Sequence, residues 1–166
     1  MLDDSAVAIL AGTNLMDEYY GSGGVTSLEI PDGSNVTAPG LKKIISTMFR
    51  PHGGVHAVIV GHAGLAFTSD VAKEVVRATS EDHSYLEVLS LSGAFLLQDE
   101  DISSILSTNA STLISLTLTS CPTMASSTCS ELFSLTNLSE LSLQHCPLSR
   151  DQLNSISWGA MSGLRR

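Results

Sequence analysis

Basic residues are scarce. The 166-residue chain carries 8 Lys and Arg against 17 Asp and Glu, a formal net charge of -9. Proteins that grip a phosphate backbone do so with clustered Lys and Arg, so nucleic acid is excluded as the expected partner. Aromatic residues make up only 5% of the chain. Its core must therefore be assembled from aliphatic side chains, in many small layers rather than one large centre. Three cysteines are too few for a disulfide scaffold, and their odd number leaves one unpaired. With no secretory signal the thiols are expected to be reduced, which points to the cytoplasm or nucleus. The apolar stretch "SAVAILAG" follows Asp3 and Asp4, where a signal peptide would carry positive charge. No run approaches the ~20 apolar residues that a membrane span requires, so no membrane association is expected. Asn35, Asn109 and Asn137 each begin an Asn-x-Ser/Thr sequon, which in a chain this rich in Ser and Thr reads as coincidence.

The remaining composition, 43% apolar and 15% charged, is that of a folded chain of about one domain's length. Within it a pattern recurs five times: "VTSLEI", "VHAVIV", "LEVLSL", "LISLTL" and "LSELSL", starting at Val25, Val55, Leu86, Leu113 and Leu138. The intervals between starts are 30, 31, 27 and 25 residues. Each stretch has aliphatic residues three and five positions after its start, with one residue between them, which is the period of a strand. Eight positions after each start comes a small residue: Gly33, Ala63, Ala94, Cys121 or Cys146. Leu41, Val71, Ile102 and Cys129 stand sixteen after, with Leu153 one place early in the last unit. Ile45, Val75, Leu106 and Phe133 stand twenty after. Positions sixteen and twenty are i and i+4, one face of a helix. Helix-start signals precede that face in "TAPG", "TSD", "DED" and "SRD".

Each unit is thus expected to be a short strand, a bend, a helix and a loop. No unit of that size can bury its apolar face alone, so neighbours must stack. Residues 25–166 are expected to hold the units, with a truncated sixth beginning at Leu164. Residues 1–24 are expected to form an N-terminal helix, half-repeat or cap with a Gly-rich lead-in, "GSGG". No polar cap is evident after the fifth helix, so the chain is expected to be a piece of a longer array or to stack an end against a partner.

The pattern resembles a leucine-rich repeat. "LISLTLTSCPTM" and "LSELSLQHCPLS" are similar to the cysteine-containing form found in ribonuclease-inhibitor-like proteins and F-box ubiquitin-ligase receptors. The resemblance implies an α/β solenoid of about five repeats, with parallel strands on the concave side and helices on the convex side. It also implies a non-catalytic protein–protein interaction scaffold, such as the substrate-recognition segment of a ubiquitin-ligase, repair or signalling complex. Only 24 residues precede the first repeat, too few for an F-box itself. The alternatives are a structural segment of a larger repeat protein and, more remotely, a thiol-dependent enzyme.

The dipeptide His145–Cys146 invites a catalytic reading, but the register weighs against it. Cys121 and Cys146 take the bend position where the resembled family places an inward Asn or Cys. Adjacent residues in an extended chain point to opposite faces, which should keep His145 away from the thiol. Buried thiols should moreover have raised pKa values. Cys121 and Cys146 fall one rung apart, a distance that would permit a disulfide, although the expected compartment opposes one. Cys129 reads as a small hydrophobe on the helical layer. His62 and His145 share a column but lie three strands apart, about 14 Å, too far to share an ion. No metal, cofactor or catalytic residue is therefore expected. Trp158 reads as packing on the final layer.

The candidate partner-binding surface is the outward face of the strands and bends: Glu29, Asp32, His56, Ile59, His62, Glu87, Ser90, Thr117, Ser142, Gln144 and His145. No Lys or Arg falls in the five strand-and-bend stretches. The partner expected from this surface is a polar or basic protein segment.

Overall fold

The computed structural model describes residues 27–31, 34–48, 56–61, 64, 66–80, 85–122, 124–155 and 163–164. The expected N-terminal cap at 1–24, and Trp158, lie outside them. Strands and helices alternate along the described chain: β1 (Ser27–Ile30), α1 (Ala38–Met48), β2 (Ala57–Val60), α2 (Ser69–Ser80), β3 (Val88–Ser92), α3 (Asp99–Thr108), β4 (Ser115–Thr119), α4 (Ser126–Leu132), β5 (Glu140–Gln144) and α5 (Arg150–Ser155). The five strands form one sheet in sequence order, and all four pairings are parallel. Parallel neighbours need a long crossover, and the helix of each unit supplies it.

The strand register fixes which residues are equivalent. Leu28, Val58, Leu89, Leu116 and Leu141 are successive partners, and so are Ile30, Val60, Leu91, Leu118 and Leu143. These two rows point to the same side of the sheet because strand side chains alternate. In β1 to β4 they are buried, and with Leu41, Val71, Ile102, Ile45, Val75 and Leu106 of the helices they make one continuous core. Consecutive helices from α1 to α4 pack against one another.

Two helix positions differ from the expected pattern. Phe133 is only partly buried, because α4 ends at Leu132 and Phe133 is its C-terminal cap residue; Leu132 takes the fully buried place. Leu153 is 39% exposed, since it lies on the six-residue α5 of the last unit and no further described helix follows to cover it.

Among the described residues, buried polar side-chain groups are paired. Asn109, 2% exposed, accepts from the Leu86 amide at 3.1 Å and donates to the Thr79 hydroxyl at 3.2 Å and the Ile105 carbonyl at 2.9 Å. It therefore ties the third unit to the second, and its burial excludes Asn109 as a glycan acceptor. Helix starts are also tied across units. Ala125, which precedes α4, makes no side-chain cap. The Asp99 carboxylate of α3 accepts instead from the amides of Ala125 at 2.7 Å, Ser127 at 2.9 Å and Thr128 at 3.1 Å. The acidic run "DED" was expected to cap its own helix, and Asp101 does so through the Gln98 amide at 2.9 Å. Asp99 serves the next one.

Candidate functional site

The register brings five of the candidate residues into a single row. Glu29, Ile59, Ser90, Thr117 and Ser142 are consecutive cross-strand partners on the side opposite the core. Two further rows flank them at strand positions two before and two after. Ala57, Val88 and Ser115 are partners in one, and Ser92 and Thr119 in the other. The central residues of this face, Ser90, Ser92, Ser115, Thr117 and Thr119, are all half-buried. Two adjacent strands, β3 and β4, thus present a field of short hydroxyls. The candidates from the sequence were the middle row and, of the flanking rows, Gln144 alone, the partner of Thr119. The same period of two that put Leu89 and Leu91 inside would have placed Ser92 and Thr119 beside Ser90 and Thr117.

His56 and Glu87 lie one residue before their strands, at the leading edge of the sheet rather than on its face. There they meet each other. His56 Nδ1 is 3.6 Å from Glu87 Oε2, with side-chain exposures of 29% and 38%. Tyr85, which the sequence reading did not single out, sets its ring perpendicular to His56 at a centroid distance of 4.3 Å. The edge has a repeating backbone cause. The carbonyl of His56 accepts from the amides of both Glu87 and Val88; Glu87 does the same for Ile114 and Ser115, and Ile114 for Ser139 and Glu140. Ile114, the third residue of this edge, is 41% exposed.

At the opposite edge the chain bends through a left-handed residue. Gly93 has φ 67°, and Ser120 and His145 both have φ 53°. His145 is exposed there, and Gln144 beside it donates to the Ser142 hydroxyl at 3.1 Å. Asp32 and His62 lie outside the described residues, so the structure brings nine of the eleven candidates into view: five in the row, two at the leading edge, Gln144 at the end of β5 and His145 at the far bend.

The left-handed residue turns the next one inward. Ala94 and Cys121 are fully buried, whereas Cys146 is only partly so. The two thiols differ in a way the sequence reading did not anticipate. The Cys146 thiol is lowered to about 6, chiefly by the hydrogen bond it receives from Cys121. Burial opposes that shift, and His145 adds a smaller favourable field. Cys121 is pushed up, by the same contact and then by burial. The expectation of a raised pKa in this column therefore holds for Cys121 and fails for Cys146, because the inner thiol stabilises the outer thiolate. Cys129 on α4 is raised by its own burial and by Asp99.

On the helical side a shallow depression of about 280 Å³ lies between α2 and α3, lined by Ala72, Lys73, Val76, Glu100, Asp101 and Ser104. Among the described residues no three His, Cys, Asp or Glu side chains converge on a point that could hold an ion. No described helix is long and apolar enough to cross a membrane. No family model matches the chain, and no curated protein matches it.

Proposed function

We propose that the chain is a leucine-rich-repeat solenoid whose open strand face is a concave recognition surface for a polar or basic segment of another protein. It acts without catalysis, as a scaffold of the kind used for substrate recognition in ubiquitin-ligase, repair or signalling complexes, in the cytoplasm or nucleus. The observation that carries this reading is the continuous row Glu29–Ile59–Ser90–Thr117–Ser142 on the face opposite the core. Short hydroxyls there leave room for an approaching chain and offer donors and acceptors to it. Glu29 and Glu140 on the face and Glu87 at its edge supply negative charge with no Lys or Arg in the strand stretches. Charge of one sign on a recognition surface favours an oppositely charged partner and speeds its encounter.

The test is capture of partners by the native chain and by Ser90→Lys/Thr117→Lys, with Lys73→Glu on the helical side as control. The reading expects at least one partner held by the native chain and the control, lost by the double variant, and weakened by salt. Identical capture by all three proteins would sink it. A second reading is favoured by β5, whose Leu141 and Leu143 are only partly buried. In that case the end of the sheet stacks on further repeats or on a partner, and the chain serves as a structural segment.

A further inference from the structure

The bends after β4 and β5 are superimposable in kind. Thr119 and Gln144 are the last ladder partners, and the Ser120 amide donates to the Gln144 carbonyl at 2.8 Å. Ser120 and His145 then share the same left-handed φ of 53°. The residues that follow, Cys121 and Cys146, are therefore rung neighbours. Adjacent strands lie about 4.8 Å apart, inside the ~4.4–6.8 Å Cα range that a disulfide spans. Both side chains also turn the same way. The Cys121 thiol reaches the Thr119 carbonyl at 3.6 Å and the Leu91 carbonyl of the preceding rung at 4.0 Å. The Cys146 thiol reaches the corresponding carbonyls, Gln144 and Leu118, each at 3.5 Å. Their exposure is unequal: Cys121 is sealed, whereas Cys146, after the last described strand, is only partly buried.

We infer that Cys121 and Cys146 are a redox-active thiol pair that closes reversibly into a disulfide between the fourth and fifth units, with Cys146 as the attacking sulfur. The inference stands apart from the recognition reading. The oxidant it requires is a small disulfide of the glutathione class. The Cys146 thiolate attacks one sulfur of that disulfide, whose S–S bond breaks, and the departing thiolate takes a proton from water. A mixed disulfide is left on Cys146. The Cys121 thiol then gives up its proton and attacks the Cys146 sulfur, expelling the second small thiolate. Two protein thiols are oxidised to one disulfide, and the small disulfide is reduced to two thiols. The order of events follows from the site. Only Cys146 can be reached from solvent, and its lowered pKa keeps it a thiolate near neutral pH. Cys121 is held protonated mainly by its contact with that thiolate, so capping Cys146 removes the chief restraint on the second step.

Cys129 provides an internal reference, since it is 3% exposed and raised by burial. The full-length chain is treated with iodoacetamide across a pH series, and separately with oxidised glutathione, followed by site-resolved mass spectrometry. The expected result is alkylation of Cys146 that titrates near pH 6 and exceeds that of Cys129 at least about tenfold. Oxidised glutathione should give a Cys121–Cys146 linked peptide with the loss of two hydrogens, reversed by dithiothreitol. In Cys121→Ala the reaction should stop at the glutathione adduct on Cys146. That variant puts at Cys121 the residue that Ala94 supplies in the same column, and the wild-type peptide map decides the question even if it folds poorly. A persistent adduct on the wild type, a link to Cys129, or equal alkylation of Cys146 and Cys129 overturns the inference.

Discussion

The fourth and fifth units carry nearly the same strand, "SLTLT" against "ELSLQ", yet their surroundings differ. Leu116 and Leu118 of β4 are fully buried, whereas Leu141 and Leu143 of β5 are partly open. Cys121 and Cys146 fill the same column with opposite shifts in acidity. Even helix capping changes hands. The start of α4 is held by Asp99 of the unit before, while α5 closes its own start, with the Ser149 amide donating to Gln152 Oε1 at 2.8 Å and the Gln152 amide to Ser149 Oγ at 3.1 Å. A motif therefore fixes where a residue sits in its unit. What that residue experiences is set by the units on either side.

The sharpest way to break this contrast is to charge the same position in both units. Leu116→Asp places an uncompensated carboxylate in a closed layer and should cost more than about 4 kcal/mol, enough to abolish folding. Leu141→Asp can keep its charge near solvent and should cost roughly half as much or less. Urea denaturation of both proteins checks this, and equal losses would mean that β5 is as enclosed as β4. Asn109 gives the next largest effect. Asn109→Ala strands the Leu86 amide, while the Thr79 hydroxyl keeps its bond to the Val75 carbonyl, and should cost about 1–3 kcal/mol. Ser134, at the corresponding place before β5, is exposed and bonds only within its own turn, to Glu131. Ser134→Ala should stay within about 0.5 kcal/mol.

Asp99 tests the capping difference through pH. Asp99→Ala leaves the α4 amides without an acceptor and should cost about 1–2 kcal/mol near neutrality. Partial burial works to raise the pKa of Asp99, but the hydrogen bonds from Thr128, Ala125 and Ser127 outweigh it, and the carboxyl lies below its ordinary 3.8. A depressed folded pKa contributes stability that is complete above the unfolded value and lost as pH falls through the folded one. The gap between wild type and Asp99→Ala should thus be constant from about pH 5 upward and close below 3.8. The Ser149→Ala deficit at α5 has no carboxylate behind it and should not change over that range. A gap of constant size in both variants would remove Asp99 from the junction.

The repeat, the strand rows and the helix faces were legible because burial imposes periods of two and of i, i+4 on the residues themselves. The inward places of Leu116, Leu118 and Ile102 followed from that alone, and that of Cys121 from the resemblance to a repeat family. What the sequence could not display was contact between units. Nothing in "LLQDED" distinguishes Asp99, which reaches α4, from Asp101, which closes α3. His56 and Glu87 looked like residues of the strand face, since each stands only one position before its strand. The difference between Cys121 and Cys146 was hidden for the same reason. It depends on one thiol leaning on another 25 residues away in sequence.

The smallest effect lies at the bend itself, where the fourth and fifth units agree. His145 holds a left-handed backbone that Gly93 adopts in the third unit. An L-residue there carries a strain of about 1 kcal/mol, which glycine lacks. Glycine also raises the entropy of the unfolded chain, so His145→Gly should stabilise by only about 0.5 kcal/mol. His145→Ala keeps the strain and loses only an exposed ring, so it should leave the melting temperature nearly unchanged, whereas Gly93→Ala should lower it. If His145→Gly instead destabilised the fold, the ring itself would be holding the bend. Its field on Cys146 would then be one part of a structural contact rather than a by-product of the turn.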